Sequence, residues 1–214
     1  MAPYYEIKWR IITGLFLAAS LIPLYILGEP WMVSVIFLGI LIFILIDEWP
    51  KFKQLILTPL YPVLPFILLI ALNHSDVRTL LPMIFLGVFA NDTGAYIAGK
   101  LWGKYKLCPS ISPGKSWEGV AGGFVLSLIV IAAFLALNHY SLNFVSLFGF
   151  TAIVCISSTC GDLFESYLKR RAYLKDAGTA LPGHGGWLDR LDGVFGTILI
   201  VYPFRNSFAT WMGF

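Results

Sequence analysis

The chain has 214 residues, of which 58% are hydrophobic and only 13% are charged. Soluble domains carry about 25% charged residues, so this composition excludes an ordinary soluble domain and predicts an integral membrane protein. The formal net charge of +3 comes without a basic, aromatic-interleaved domain, so we expect no nucleic-acid partner.

Apolar segments of the chain predict about seven transmembrane helices, and therefore an all-α, polytopic membrane fold. The predicted spans are residues 11–28, 31–46, 59–72, 80–99, 120–137, 144–168 and 193–211. Pro62 and Pro65 lie in the third span, which we expect to be kinked or only partly inserted. We interpret residues 1–214 as a single membrane domain, with N-terminal helices in 1–78 and the polar motifs in 79–214.

The distribution of basic residues predicts the orientation of these spans. Thirteen of the 15 Lys and Arg residues lie in the N-terminal head or in the loops on the same predicted side. They are Lys8, Arg10, Lys51, Lys53, Lys100, Lys104, Lys106, Lys115, Lys169, Arg170, Arg171, Lys175 and Arg190. Because cytoplasmic loops are enriched in Lys and Arg, these loops are expected in the cytoplasm and the C-terminus outside.

Two aspartates, Asp92 and Asp162, lie within or at the ends of predicted spans. An aspartate at the centre of a bilayer costs about 2.5–3.5 kcal/mol on insertion scales, so each should face protein, water or an ion. Asn91 precedes Asp92, and the small residues 157–161 precede Asp162. These neighbours favour a polar cavity between close-packed helices, although structural ion pairs and simple packing are the alternatives.

The densest polar segment of the chain runs from Ser166 to Asp192 and contains five basic residues, three aspartates and a histidine. If a helix continues to Arg171, one of its faces carries a polar stripe. That stripe consists of Asp162, Glu165, Ser166, Lys169 and Arg170. A solvated, positively charged cytoplasmic loop is the alternative interpretation.

Glycines in the second half of this segment predict the start of another helix. Free N–H groups near Gly183, Gly185 and Gly186 would suit an anion. On the following helix, Asp189 and Asp192 would be one turn apart, with roughly 5–6 Å between Cβ atoms, close enough to bind a hard cation jointly. Charge for binding phosphates would come from Lys169, Arg170, Lys175 and Arg190.

The spacing of these residues closely resembles the signature of the phosphatidate cytidylyltransferases, also called CDP-diacylglycerol synthases. The matching pattern is Ser-x-x-Lys-Arg-x4-Lys-Asp, from Ser166 to Asp176, followed by Pro-Gly-His-Gly-Gly-x-x-Asp-Arg-x-Asp, from Pro182 to Asp192. Asn-Asp-Thr-Gly-Ala-Tyr at 91–96 and Ser-Pro-Gly-Lys-Ser-Trp-Glu-Gly at 112–119 also resemble the family. The resemblance covers the chain from about Asn91 onward.

The resemblance implies a reaction in which CTP and phosphatidic acid give CDP-diacylglycerol and pyrophosphate, with membrane lipids around the site. It implies Mg²⁺ bound by Asp162, Asp189 and Asp192, with a second metal ion left open. The implied catalytic residues are Lys115, Lys169, Arg170, Lys175, His184 and Arg190. The implied substrate-binding residues are Asn91, Asp92, Ser112, Ser116, Ser166, Gly185 and Gly186.

Several alternatives are open from sequence alone. Lys115 is alternatively one of the cytoplasmic loop charges that set the orientation of the spans. His184 is a hydrogen-bonding loop anchor, a hydrogen-bond donor to phosphate or a proton carrier. A related CTP-dependent enzyme acting on an isoprenoid alcohol or an archaeal ether lipid would share this site, and a secondary transporter would also explain buried aspartates. Many members of the resembled family carry additional N-terminal spans. In this chain, contacts within a homodimer are one possible replacement for the contacts that those spans make. We expect a bacterial inner (plasma) membrane protein with its active site on the cytoplasmic face.

Overall fold

The computed structural model describes residues 19–20, 22–141, 143–181 and 185–214, and most of these residues are helical. The chain forms two compact units. The first contains Met1–Ser75 and Leu168–Leu191, and the second contains Asp76–Tyr167 and Asp192–Phe214. The mostly helical structure is consistent with the predicted all-α membrane fold.

The N-terminal part of the first unit consists of helical segments that are interrupted by irregular turns. Residues 22–27 are helical, and helix α1 (Pro30–Phe43) continues through a wide turn (Ile44–Glu48) and a tight one (Trp49–Phe52). Two further turns, Leu55–Leu57 and Pro59–Val63, lead into helix α2 (Leu64–Asn73). The extended backbone of Tyr61 (φ −153°, ψ 117°) interrupts this second segment, which confirms the predicted kink.

Aromatic packing fixes the turn that follows α1. Trp49 and Phe52 are fully buried, and their rings stack with centroids 5.3 Å apart. The indole N–H of Trp49 donates a 2.7 Å hydrogen bond to Thr58 Oγ1, which satisfies the polar end of this buried side chain. Glu48 immediately precedes this anchored tryptophan, so its backbone position is well constrained.

The second unit begins with helix α3 (Leu80–Trp102), a hairpin of strands β1 (Lys106–Cys108) and β2 (Ser112–Ser116), and helix α4 (Trp117–Leu137). Helix α5 (Phe144–Arg171) follows, and its last residues belong to the first unit. Helix α6 (Leu188–Val201) starts in the first unit and ends in the second. A tight turn, Tyr202–Phe204, leads into helix α7 (Arg205–Met212).

Small residues bring helices α3 and α4 into close contact. A Cβ atom on Gly94 would lie 2.9 Å from the Leu126 Cβ, and one on Gly119 would lie 2.9 Å from the Ala95 carbonyl oxygen. These distances are too short for ordinary packing, so larger side chains would separate the helices. Without a hydrophobic driving force between helices in lipid, such close van der Waals contact is a main source of association.

A short hairpin is the one two-stranded sheet among the described residues of this otherwise helical fold. Its strands are antiparallel, with Lys106 opposite Ser116 and Cys108 opposite Ser112. Beyond the strands, the Trp117 N–H donates to the Tyr105 carbonyl at 2.9 Å. The segment contains proline and glycine and lacks apolar alternation, so the usual sequence signal for a strand is absent.

Five helical segments in the part of the chain that the structure describes are long and apolar enough to cross a membrane. They are Pro30–Phe52, Leu55–Asn73, Leu80–Trp102, Trp117–Leu137 and Phe144–Arg171, and they correspond to the second through sixth predicted spans. Most of the first predicted span lies outside the described residues. The last predicted span falls on α6, a turn and α7, which are separate elements. The total of seven stays a prediction.

Candidate functional site

Within the second unit, an ion pair connects the family-like stretch at 112–119 to helix α5, whose last turns begin the other motif stretch, Ser166 to Asp192. Lys115, on strand β2, places its Nζ atom 2.5 Å from Oδ2 of Asp162. The hydroxyl of Ser166 donates to the other carboxylate oxygen at 3.2 Å. The Lys115 and Asp162 side chains are 23% and 29% exposed, so solvent reaches the pair. Lys115, Asp162 and the buried Ser166 therefore form a polar cluster whose ion pair remains accessible.

The hairpin and the start of α4 orient Lys115. The adjacent Ser116 is the N-cap of α4, and its hydroxyl accepts the Gly119 N–H at 3.1 Å. Glu118 accepts the Tyr105 N–H at 3.2 Å, which ties the helix to the residue before β1. Since Ser116 is buried and already caps the helix, its described contact is structural.

Helices α5 and α6 touch directly beside two of the predicted metal ligands. A Cβ on Gly161 would collide with the Asp192 carbonyl oxygen, and one on Gly196 would collide with the Ser157 carbonyl oxygen. The carboxyl-bearing residues Asp162 and Asp192 flank this glycine contact. Asp192 is buried, and one of its carboxylate oxygens accepts the Gly193 N–H at 2.7 Å.

Helix α3 reaches the same region of the second unit. A Cβ on Gly193 would lie 2.6 Å from Ser158 Oγ and 2.9 Å from Val88 Cγ1, so α3, α5 and α6 meet there. Asn91 lies one turn after Val88 and is buried. Among the described residues, Asn91 Oδ1 has no hydrogen-bond partner, and it packs against Gly123 of α4, where a Cβ would collide with it. The neighbouring Asp92 is exposed.

Asp189 organises a different cluster, which lies in the first unit. Its Oδ1 atom is 2.7 Å from Lys169 Nζ, and its Oδ2 atom accepts the N–H groups of Ala177 and Gly186 at 2.9 Å each. The Lys169 and Asp189 side chains are only 10% and 6% exposed. Asp189 and Asp192 are one turn apart on α6, as predicted, but their described partners are different.

Glu48 forms the second half of this cluster and was not identified by sequence analysis. It is fully buried, and its two carboxylate oxygens accept the Trp187 and Leu188 N–H groups at 2.8 Å each. The prediction of free N–H groups after the glycines is therefore wrong for Gly186, Trp187 and Leu188. An acidic residue at the end of an apolar span was the available signal, because such a residue needs a partner.

The other predicted cations are more open. Arg170, Lys175 and Arg190 are exposed, and Arg170 donates to the Leu174 carbonyl at 3.2 Å after the end of α5. Ser112 pairs with Cys108 in the hairpin. Gly185 has φ of +86°, which favours glycine, and its carbonyl accepts the Leu181 N–H at 2.8 Å.

Pro182, Gly183 and His184 lie outside the described residues, so the predicted roles of His184 stay predictions. Within the described ranges, no three His, Cys, Asp or Glu side chains form a group that could hold a metal ion. The joint binding of a metal ion by Asp162, Asp189 and Asp192 stays a prediction. Asp162 and Asp192 flank the same helix contact, whereas Asp189 is engaged by Lys169 and backbone N–H groups.

Comparison with known proteins identifies relatives of this chain. A phosphatidate cytidylyltransferase of Staphylococcus aureus (strain COL) is 47% identical over 122 residues, which is 57% of this chain and 45% of that protein. The Haemophilus influenzae phosphatidate cytidylyltransferase is 40% identical over 133 residues, covering 60% of this chain and 45% of that protein. The Helicobacter pylori phosphatidate cytidylyltransferase is 33% identical over 195 residues, covering 91% of this chain and 73% of that protein.

The chain thus spans about half the length of several curated relatives that it matches and nearly three quarters of another. A sequence model of the cytidylyltransferase family matches residues 12–208, a range that includes both motif stretches and the Lys115–Asp162 ion pair. The chain belongs to the cytidylyltransferase family.

Proposed function

We propose that this protein transfers the cytidylyl group of CTP to phosphatidic acid, giving CDP-diacylglycerol and pyrophosphate. The observation that carries the proposal is the Lys115–Asp162–Ser166 cluster, which joins both motif stretches on apolar helices. The names of the relatives support the same substrates, since each is called a phosphatidate cytidylyltransferase. A charged, accessible site on a membrane-spanning unit suits a nucleotide and a lipid phosphate.

The proposed reaction needs no protein nucleophile. An oxygen of the lipid phosphate, already ionised at neutral pH, attacks the α-phosphorus of CTP, and the bond between that phosphorus and the leaving pyrophosphate oxygen breaks. The main obstacles are bringing two polyanions together and stabilising charge on the leaving group. Positioning and cationic groups therefore supply most of the catalysis.

Lys115 is the cation best placed to contact substrate in this proposal. Its ammonium already binds an oxygen anion, the Asp162 carboxylate, in a partly exposed position, so a phosphate oxygen could replace or join that contact. The exposed side chains of Lys175, Arg170 and Arg190 would neutralise other phosphate charges. Lys169 is buried against Asp189, which favours a supporting role in the loop.

A magnesium ion is part of the proposal, and carboxylate oxygens are suitable ligands for it. Asp162 and Asp192 fit this group best because they flank the close contact of α5 and α6 at Gly161. Asp189 fits less well, since three protein donors hold its carboxylate and its side chain is only 6% exposed, whereas Asp162 has two such donors and is 29% exposed. When bound, magnesium would offset charge on the nucleotide phosphates and the leaving pyrophosphate.

The substrate requirement is directly testable. With purified protein, pyrophosphate should form only when CTP, phosphatidic acid and a divalent ion are all present, because no covalent step releases pyrophosphate from CTP alone. Mass spectrometry should identify CDP-diacylglycerol as the lipid product. A neutral isoprenoid alcohol and an archaeal ether lipid serve as acceptor controls. Their use at equal or higher rates, or CTP hydrolysis without lipid, would contradict the proposed substrate.

We also propose that the site faces the cytoplasm of a bacterial inner membrane, on the basis of the distribution of Lys and Arg. In a background with Cys108, Cys155 and Cys160 replaced by serine, Lys104→Cys should be protected from an impermeant thiol reagent in intact cells. Asn138→Cys should be labelled, because it lies between α4 and α5 on the predicted outer side. Both positions are exposed, so burial does not limit labelling. The reverse pattern would overturn the orientation.

A further inference from the structure

We propose that Glu48 is a positioning residue for the proposed cytidylyl transfer, holding the motif loop between α5 and α6 in its working conformation. This inference rests on the proposed function. Glu48 lies far from both motif stretches in sequence, yet its buried carboxylate accepts the N–H groups of Trp187 and Leu188. Those residues stand at the start of α6, directly before Asp189 and Arg190.

Two glycines, Gly178 and Gly186, leave the space that the Glu48 carboxylate occupies. A Cβ on Gly186 would lie 2.7 Å from Glu48 Oε1, and a Cβ on Gly178 would lie 3.0 Å from the same atom. Side chains at these positions would push against the carboxylate. The loop therefore closes around Glu48 from two sides, residue 178 and residues 186–188.

Glu48 and Asp189 each accept a different pair of backbone N–H groups from the loop. Glu48 accepts the Trp187 and Leu188 N–H groups, and Asp189 accepts those of Ala177 and Gly186. Asp189 belongs to the motif from Pro182 to Asp192 that resembles the family signature, whereas Glu48 lies in the turn after α1. Carboxylates that accept backbone N–H groups at a helix start also interact favourably with the helix dipole.

The loop that Glu48 holds carries cations of the proposed site. The anchored loop carries Lys175 and precedes Arg190, and both of these cations are exposed. Their positions relative to substrate depend on the loop conformation, and misplacement by about 1 Å can reduce rate about 10²-fold. Glu48 contacts backbone N–H groups, so its effect on the reaction would be transmitted through the loop.

The test uses the full chain in lipid nanodiscs and compares Glu48→Gln with Asp47→Asn. Glutamine retains one carbonyl oxygen but places an N–H₂ group opposite the second backbone donor. Asp47 is the matched control, because it is the neighbouring acid but pairs with Lys51 at the surface. Hydrogen exchange of the amides in residues 177–188 should accelerate at least about tenfold in Glu48→Gln and stay unchanged in Asp47→Asn, since lost hydrogen bonds expose amides to solvent.

Kinetics then separate positioning from general stability. In Glu48→Gln, kcat per folded molecule should fall about 10²-fold, and saturating CTP should not restore it, because misplaced cations fail in the transition state as well as in binding. A purely structural role would lower the amount of folded protein and leave kcat per folded molecule unchanged. Unchanged exchange at 177–188, or accelerated exchange with unchanged kcat, would overturn the inference.

A second pair of variants keeps the test independent of the Glu48 charge. Gly178→Ala should displace the carboxylate and reproduce both effects more weakly, whereas Gly39→Ala should change neither, because a Cβ on Gly39 meets nothing within 4 Å. Normal hydrogen exchange of the loop amides in Gly178→Ala would overturn the inference. Failure of both Glu48→Gln and Gly178→Ala to fold would indicate a purely structural role and would also overturn it. If the wild-type chain transferred no cytidylyl group, the proposed function would fail, and exchange alone would decide whether Glu48 anchors the loop.

Discussion

Replacement of Lys115 with methionine should lower kcat for cytidylyl transfer by at least about 10²-fold, comparable to losing a key electrostatic group in an active site. Methionine retains an unbranched apolar stem but removes the ammonium that lies 2.5 Å from Asp162 Oδ2. The Asp162 side chain is 29% exposed and also accepts the Ser166 hydroxyl, so the remaining carboxylate stays solvated. We therefore expect the variant to fold. Steady-state kinetics at saturating CTP and phosphatidic acid measure the effect.

Lys106→Met is the matched control for Lys115→Met. Lys106 lies on the other strand of the same hairpin and is exposed. Its loss removes an equal charge, so kcat should remain within about twofold, the range of a solvated surface charge. The double variant Lys115→Met/Asp162→Asn should lose little more activity than the worse single variant, because groups that act as a unit are non-additive. Equal losses in Lys106→Met and Lys115→Met would remove the special role of Lys115.

Sequence patterns predicted the helices of this protein well, because hydrophobic runs and helix boundaries are local signals. Five predicted spans correspond to long apolar helical segments. The polar stripe from Asp162 to Arg170 lies on α5, which ends at Arg171, and α6 begins two residues after Gly186. In each case the deciding residues are neighbours in the chain, so their spacing carried the information.

The contacts between distant segments were not predictable in the same way. Glu48 precedes Leu188 by 140 residues, so no local spacing connects the two. The hairpin similarly lacks a strand-like hydrophobic pattern, although it presents Lys115 to Asp162. Such contacts depend on which segments fold together, and helical spacing alone does not specify that.

The two aspartates of α6 show the same limit at the candidate site. Spacing of three residues predicted that Asp189 and Asp192 act jointly. In the structure, the first turn of α6 is held by loop N–H groups and Lys169, whereas Asp192 stands beside the glycine contact with α5. Neighbouring residues on one helix can therefore serve different purposes, because each turn meets a different part of the protein.

This difference predicts a separation between Asp192→Asn and Asp189→Asn. Asparagine at 192 retains an oxygen acceptor for the Gly193 N–H but removes the negative charge that a hard cation needs. We expect folded protein, kcat lowered at least about 10²-fold, and a marked shift of the magnesium concentration that gives half-maximal rate. Asp162→Asn should behave alike, because Asp162 flanks the same helix contact.

Asp189→Asn should instead act on the loop. It breaks the ion pair with the buried Lys169, and removing one partner of a buried pair lowers stability by about 3–5 kcal/mol. The fraction of folded protein should fall, exchange of the amides in residues 177–188 should accelerate, and kcat per folded molecule should fall as in Glu48→Gln, because Asp189 holds the same loop. The magnesium concentration for half-maximal rate should stay unchanged, because three protein donors already hold the buried Asp189 carboxylate.

Asp176→Asn is the common control for these comparisons, because Asp176 is an exposed acid in the same loop. Its kcat should remain within about twofold of the wild type, as for other solvated surface charges. The decisive measurement is the rate against magnesium concentration for all four variants at matched amounts of folded protein. A magnesium shift in Asp189→Asn as large as that in Asp192→Asn would return Asp189 to the metal site. Unchanged magnesium dependence in both Asp162→Asn and Asp192→Asn would remove the metal from these two residues, since a lost ligand must weaken binding of the ion it holds.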